Sequence, residues 1–101
     1  MGKMVPLHQT MKIERLVREV RVGGLVTKSN FLTEDKHHIL PLEEDLFDKL
    51  SEGDTLRMTF FAKEEDIKET PGRMTFKSKG VRYEVWNKEN EGWDKIFEEF
   101  A

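Results

Sequence analysis

Apolar residues recur along this chain with two different periods, and the switch between them falls at Gly53. Upstream, Leu42, Leu46, Phe47 and Leu50 have the spacing that lines side chains along one side of a helix. Pro41 at the start, Glu43, Glu44 and Asp45 in the first turn, Lys49 in the last and Gly53 just beyond it are matching start and stop signals. Together they predict a helix over residues 42–51. Downstream, Leu56, Met58, Phe60 and Ala62 alternate with Thr55, Arg57, Thr59 and Phe61, which predicts a half-buried strand. Phe61 breaks its polar face.

The flanking sequence is less regular. Residues 1–10 hold Pro6 and no sustained period, and read as a flexible leader to a single domain over 11–101. Ile13, Leu16, Val17 and Val20 fit a helix, whereas Val20 and Val22 among Arg18, Glu19 and Arg21 fit the end of a strand. The β-branched run after Gly23-Gly24 favours a long strand bent at the glycines. Residues 63–72 are highly charged and end in Pro71-Gly72, the composition of an exposed connector. Met74 and Phe76, then Lys77-Ser78-Lys79-Gly80, then Val81, Tyr83 and Val85 predict a hairpin over residues 73–86. At the end of the chain Trp93, Ile96, Phe97 and Phe100 fall at i, i+3, i+4 and i+7, opposite Asp94, Lys95, Glu98 and Glu99. This predicts an amphipathic helix too short to be stable without packing. The expected fold class is therefore α+β: a small curved antiparallel sheet or partly open β-barrel, with one central short helix and a C-terminal amphipathic helix.

Composition narrows the function classes. A chain of 101 residues has room for one core. The absence of cysteine excludes disulfides, thiolate metal sites and a cysteine nucleophile, and suits a reducing, cytoplasmic setting. No apolar run approaches the roughly 20 residues that span a bilayer, so no membrane partner is expected. Charged residues make up 37% of the chain, and its single glutamine, Gln9, accompanies abundant Lys and Glu, a balance common in heat-tolerant proteins. The net charge of −3 is uneven: residues 1–30 carry +4 and residues 31–101 carry −7. The acidic balance disfavours nucleic acid as a general partner but leaves room for a local basic patch.

Candidate chemistry is sparse. His37 and His38 are adjacent and would face opposite sides of a strand, so they do not form a metal pair, and no metal or cofactor is expected. Gly23-Gly24 lacks the Lys-Ser/Thr and helix start that a phosphate loop requires. No serine sits in an elbow motif, and no carboxylate pair is set in contrasting environments, so no catalytic residue is assigned and the chain is read as non-enzymatic. Two binding surfaces remain. The aromatic end, Trp93, Ile96, Phe97 and Phe100, suits a protein partner or self-association. The hairpin cations Arg73, Lys77, Lys79 and Arg82, with Tyr83 and Trp86, suit nucleic acid.

One local pattern has a known counterpart. Ile39-Leu40-Pro41, Leu46, Leu50, Gly53-Asp54 and Leu56 resemble the strand, helix, Gly-Asp turn and strand of the AbrB/MazE-type swapped-hairpin DNA-binding domains. The resemblance covers about a quarter of the chain. It implies an obligate dimer, in which the strand after the helix pairs with a second subunit, and phosphate contacts from basic loops. The acidic helix start and the additional C-terminal hairpin depart from that pattern. The preferred reading is a small binding or adaptor domain acting through protein–protein interaction, with nucleic-acid binding through the basic hairpin as the alternative.

Overall fold

Residue pairing, more than helix formation, organises this chain. The computed structural model describes residues 3–20, 23–24, 26–34, 36–40 and 46–101, with backbone only at Val20, Val26, Thr27 and Lys28. Among the described residues the strands are β1 (Met4–Lys12), β2 (Arg15–Val20), β3 (Val26–Leu32), β4 (His37–Leu40), β5 (Thr55–Lys63), β6 (Lys68–Thr70), β7 (Arg73–Thr75), β8 (Ser78–Asn87) and β9 (Gly92–Phe100). They form a four-stranded sheet in the order β1-β5-β8-β9, a three-stranded sheet β2-β3-β4, and the small ribbon β6-β7, all antiparallel. The molecule is nearly all β, which overturns the α+β expectation while keeping its small antiparallel sheets.

The four-stranded sheet turns its main apolar rows to one face. Leu56, Met58 and Phe60 of β5 stand opposite Val85, Tyr83 and Val81 of β8 and opposite Met11, Gln9 and Leu7 of β1. Ile13 lies at the corner where the chain leaves this sheet for the next: its N–H donates to Asp54 at 2.9 Å, and the N–H of Glu14 donates to Leu32 of β3 at 2.8 Å. Such a switch lets two sheets share one interior. Ile13, Phe31, Leu40, Leu46, Leu50, Leu56, Met58 and Tyr83 form that interior. Burying a side chain of this size contributes about 1.5–3 kcal/mol. Further along the sheet, the Phe76 ring lies 5.9 Å from the Phe60 ring and extends the apolar layer. The ribbon that leads to Phe76 turns through Pro71-Gly72, where Gly72 has φ 77° and Pro71 presets the preceding angle.

Five expectations are corrected. Residues 42–45 lie outside the described residues, but the rest of the expected central helix is a single 3-10 turn, Phe47–Lys49, followed by extended backbone at Leu50. Leu46 and Leu50 are buried as their spacing requires, so burial chose the side chains and a tighter turn supplied the backbone. The C-terminal amphipathic helix is strand β9, because β8 offers it a full row of backbone partners whereas a helix of that length is marginal alone. The leader is β1 from Met4 onward, paired with β5 through nine residues. The bent strand is a β2–β3 hairpin, with Gly23 and Gly24 in the reversal. The β5 strand pairs with β1 and β8 of its own chain, unlike the intersubunit pairing that the local resemblance implied.

Candidate functional site

The outward face of the four-stranded sheet carries the chemistry. On a pleated sheet alternate residues face opposite ways, so the inward Leu56, Met58 and Phe60 leave Arg57, Thr59 and Phe61 pointing out. Cross-strand pairing places Arg57 against Glu84 and Thr59 against Arg82, and Arg82 against Glu98 on β9. The Nε and Nη2 of Arg57 both donate to Glu84 Oε1, at 3.0 and 2.9 Å. Arg82 approaches Glu84 at 3.6 Å and Glu98 at 3.7 Å, and Lys95 approaches Glu98 at 3.5 Å. Each carboxylate is thus bracketed by two cations. Charge-assisted contacts of this kind hold side chains in place as well as contributing energy.

Aromatic rings bound this network at both ends. Trp86 and Trp93 meet edge-on with centroids 5.3 Å apart, and the Arg57 guanidinium lies 4.5 Å above the Trp93 ring. At the other end Phe61 and Phe100 are 5.1 Å apart, with Arg82 lying 5.1 Å over Phe61. Trp86 is 37% exposed and Phe100 53%, so both ends are open to solvent. Gly80 permits the second pair, because a Cβ there would collide with the Phe100 ring and sit 3.0 Å from the Glu99 carbonyl oxygen. Thr59 is fully buried on this face and hydrogen-bonds through Oγ1 to His8 Nδ1 at 2.8 Å.

The four residues of the expected protein-binding end are divided between the two faces. Trp93 and Phe100 lie outward, whereas the Phe97 ring lies tilted against Tyr83 with centroids 5.5 Å apart and, with Ile96, packs on the core. The divider is a register shift opposite Tyr83 and Glu84: Lys95 pairs with Glu84 and Phe97 with Tyr83, leaving Ile96 as the extra residue of a β-bulge. The bulge resets the alternation and so imitates helical spacing in the sequence.

The expected basic hairpin also separates. Arg73 belongs to β7, which pairs with β6, and Lys77 is exposed between β7 and β8, so neither joins the sheet face. Lys79 and Gly80 are within β8 and do not form a turn. Arg82 and Trp86 face outward with the network, while Tyr83 is buried on the other side, where desolvation raises its phenol above the ordinary value of 10.0. Arg57, Phe61, Glu84 and Glu98 were absent from both candidate sets; the one sequence signal for them was Phe61 on an otherwise polar strand face.

Among the described residues no cluster of three or more metal-ligating side chains is placed to hold an ion. His38 stacks on Phe31 with centroids 4.6 Å apart, and His37 is exposed. No described helix is long and apolar enough to cross a membrane. Comparison with known proteins gives no matching family model, no matching curated relative and no matching solved structure. The functional reading therefore rests on this chain's own geometry.

Proposed function

We propose that this protein is a non-enzymatic binding domain whose working surface is the outward face of the four-stranded sheet. One observation carries the reading: two solvent-open aromatic pairs, Trp86–Trp93 and Phe61–Phe100, flank a network of arginine–carboxylate pairs on that face. Trp, Tyr and Arg side chains held in fixed positions are the groups that dominate recognition surfaces, because ordering them on binding costs little entropy. Of the C-terminal residues, Trp93 and Phe100 belong to this surface, and Ile96 and Phe97 support it from the core. The cysteine-free chain suits a cytoplasmic setting, which is part of the same proposal.

The test compares the full chain with a Trp86→Ser/Phe100→Ser variant as bait for the macromolecules of its source cell. The expected result is a set of ligands retained by the parent and lost by the variant, at an unchanged melting temperature. Identical capture by both proteins would discard this face as the working surface.

A further inference from the structure

The charge on the outward face runs against that of the chain. By register it carries Lys12, Arg57, Lys63, Arg82 and Lys95 against Glu84 and Glu98, within a protein whose net charge is −3. The face is thus net positive while the remainder of the molecule is acidic, although most of the 17 Lys and Arg lie off this face. Both of the protein's tryptophans lie on the face. A surface that combines stacking rings with a local excess of positive charge is complementary to a chain that alternates flat bases with phosphates.

Resting on the binding-face reading above, we infer that the ligand of this face is single-stranded nucleic acid. The open rings at each end offer stacking surfaces, Trp86 at one and Phe100 at the other. Trp93 and Phe100 stand near opposite ends of β9, roughly 20 Å apart along the strand, which leaves room for a short run of unpaired nucleotides. Between the ends, Arg57 and Arg82 lie over Trp93 and Phe61. Two hydrogen bonds to Glu84 fix the Arg57 plane, and Arg82 lies 3.6 and 3.7 Å from Glu84 and Glu98, so these carboxylates are neutralised by the cations beside them. Lys12 and Lys63 are exposed at opposite ends of the β1–β5 pairing and flank the face on the side away from β9, where a phosphate backbone would run. Duplex nucleic acid, with its bases stacked on one another, gives the rings nothing to stack on, so the face selects unpaired strands.

Because both tryptophans sit on the face, intrinsic fluorescence of the full chain reports on it directly. Titration with oligo(dT) and oligo(U) of about 15 nucleotides is expected to quench the emission saturably, the size covering a typical single-strand site. Contacts with three to five phosphates predict that affinity falls about 20- to 100-fold between roughly 50 and 200 mM salt. Lys12→Glu/Lys63→Glu should weaken binding at least about tenfold, and Trp86→Ala, read through Trp93, about ten- to hundredfold. Arg73→Glu/Lys77→Glu, away from the face, should leave affinity within about twofold.

Failure of both oligomers to quench at low salt would overturn the inference. So would equal weakening by the two charge-reversal pairs, which would reduce the effect to general attraction. Quenching by a poly-glutamate peptide, or a concentration-dependent emission shift of the protein alone, with no response to either oligomer, would discard nucleic acid while keeping the face as a binding surface. Loss of the binding-face reading itself is distinguished by the bait comparison above.

Discussion

The two faces of the four-stranded sheet are built by the same strands and are held by different forces. On the inward face Leu56, Met58 and Tyr83 are 0%, 7% and 4% exposed; on the outward face Thr59 and Glu84 are 0% and 8% exposed. Burial alone does not separate them. The inward side chains gain from leaving water and require only close packing, whereas the outward ones must each find a polar partner, since a buried unpaired group costs more than a pair contributes. Thr59 has His8 and Glu84 has Arg57, whereas Arg82 Nε, 3.6 Å from Glu84, is buried without a hydrogen bond and relies on the ion pair alone. The outward face is thus a layer one side chain deep, ordered by pairing and fringed by open rings. That arrangement suits a surface whose groups must be in position before a ligand arrives.

The largest effect should come from the inward face. Leu56→Ala removes a fully buried side chain from the shared interior and should destabilise the fold by about 2–5 kcal/mol, measured by denaturant unfolding. A value below about 1 kcal/mol would mean that the two sheets do not form one tightly packed core.

Alkali tests the same interior next. Tyr83 is the single tyrosine, and desolvation raises its pKa in the folded state above the ordinary 10.0. A raised pKa means that the folded protein favours the neutral phenol: its contribution is fully present below the unfolded value and is lost as pH rises towards the folded one. Absorbance at tyrosinate wavelengths should lag behind that of a free tyrosine and rise together with loss of structure. Titration at the ordinary value in a protein that stays folded would contradict the burial of Tyr83.

Crossing to the outward face, Glu84→Gln keeps the shape and removes the charge that Arg57 and Arg82 share. The half-buried Arg57 would lose its counter-charge and Arg82 would keep only Glu98, and the expected destabilisation is about 1–3 kcal/mol. Trp93 emission should also change, because Arg57 is no longer held over its ring. High salt should erode the parent's advantage only in part, since the pair is mostly shielded from solvent.

How much of this was legible in the sequence differs by face. The inward alternation of β5 stood out because apolar residues at period two have few competing explanations, and β5 has the strand expected for it. Leu46 and Leu50 were recognised as core residues within the wrong element, because spacing of four marks a common side of a helix and equally of a 3-10 turn entering extended chain. At β9 the sequence misled for a definite reason. One extra residue, Ile96, shifts the alternation, and a strand with a bulge then shows apolar residues at i, i+3, i+4 and i+7. The outward network was hidden for a different reason. Arg57, Glu84 and Glu98 lie far apart in the chain and meet only through strand register, which no local pattern encodes. Phe61, an aromatic ring among polar neighbours, was the visible trace of it.

The smallest effect should fall at the open fringe. Gly80→Ala places a methyl group against the Phe100 ring and 3.0 Å from the Glu99 carbonyl oxygen. The ring is 53% exposed at the end of the last strand and can swing away, so relief is available at little expense to the fold. The expected loss is below about 1 kcal/mol, with Phe100 displaced from Phe61. Phe100→Ser should do still less to stability, within about 0.5 kcal/mol, because its ring is largely in water already. The pair of substitutions separates packing from recognition. If both leave the melting temperature close to that of the parent while weakening oligonucleotide binding, the Phe61–Phe100 end belongs to the ligand; if Phe100→Ser unfolds the protein, the ring is a structural plug and the distinction between the two faces fails at that end.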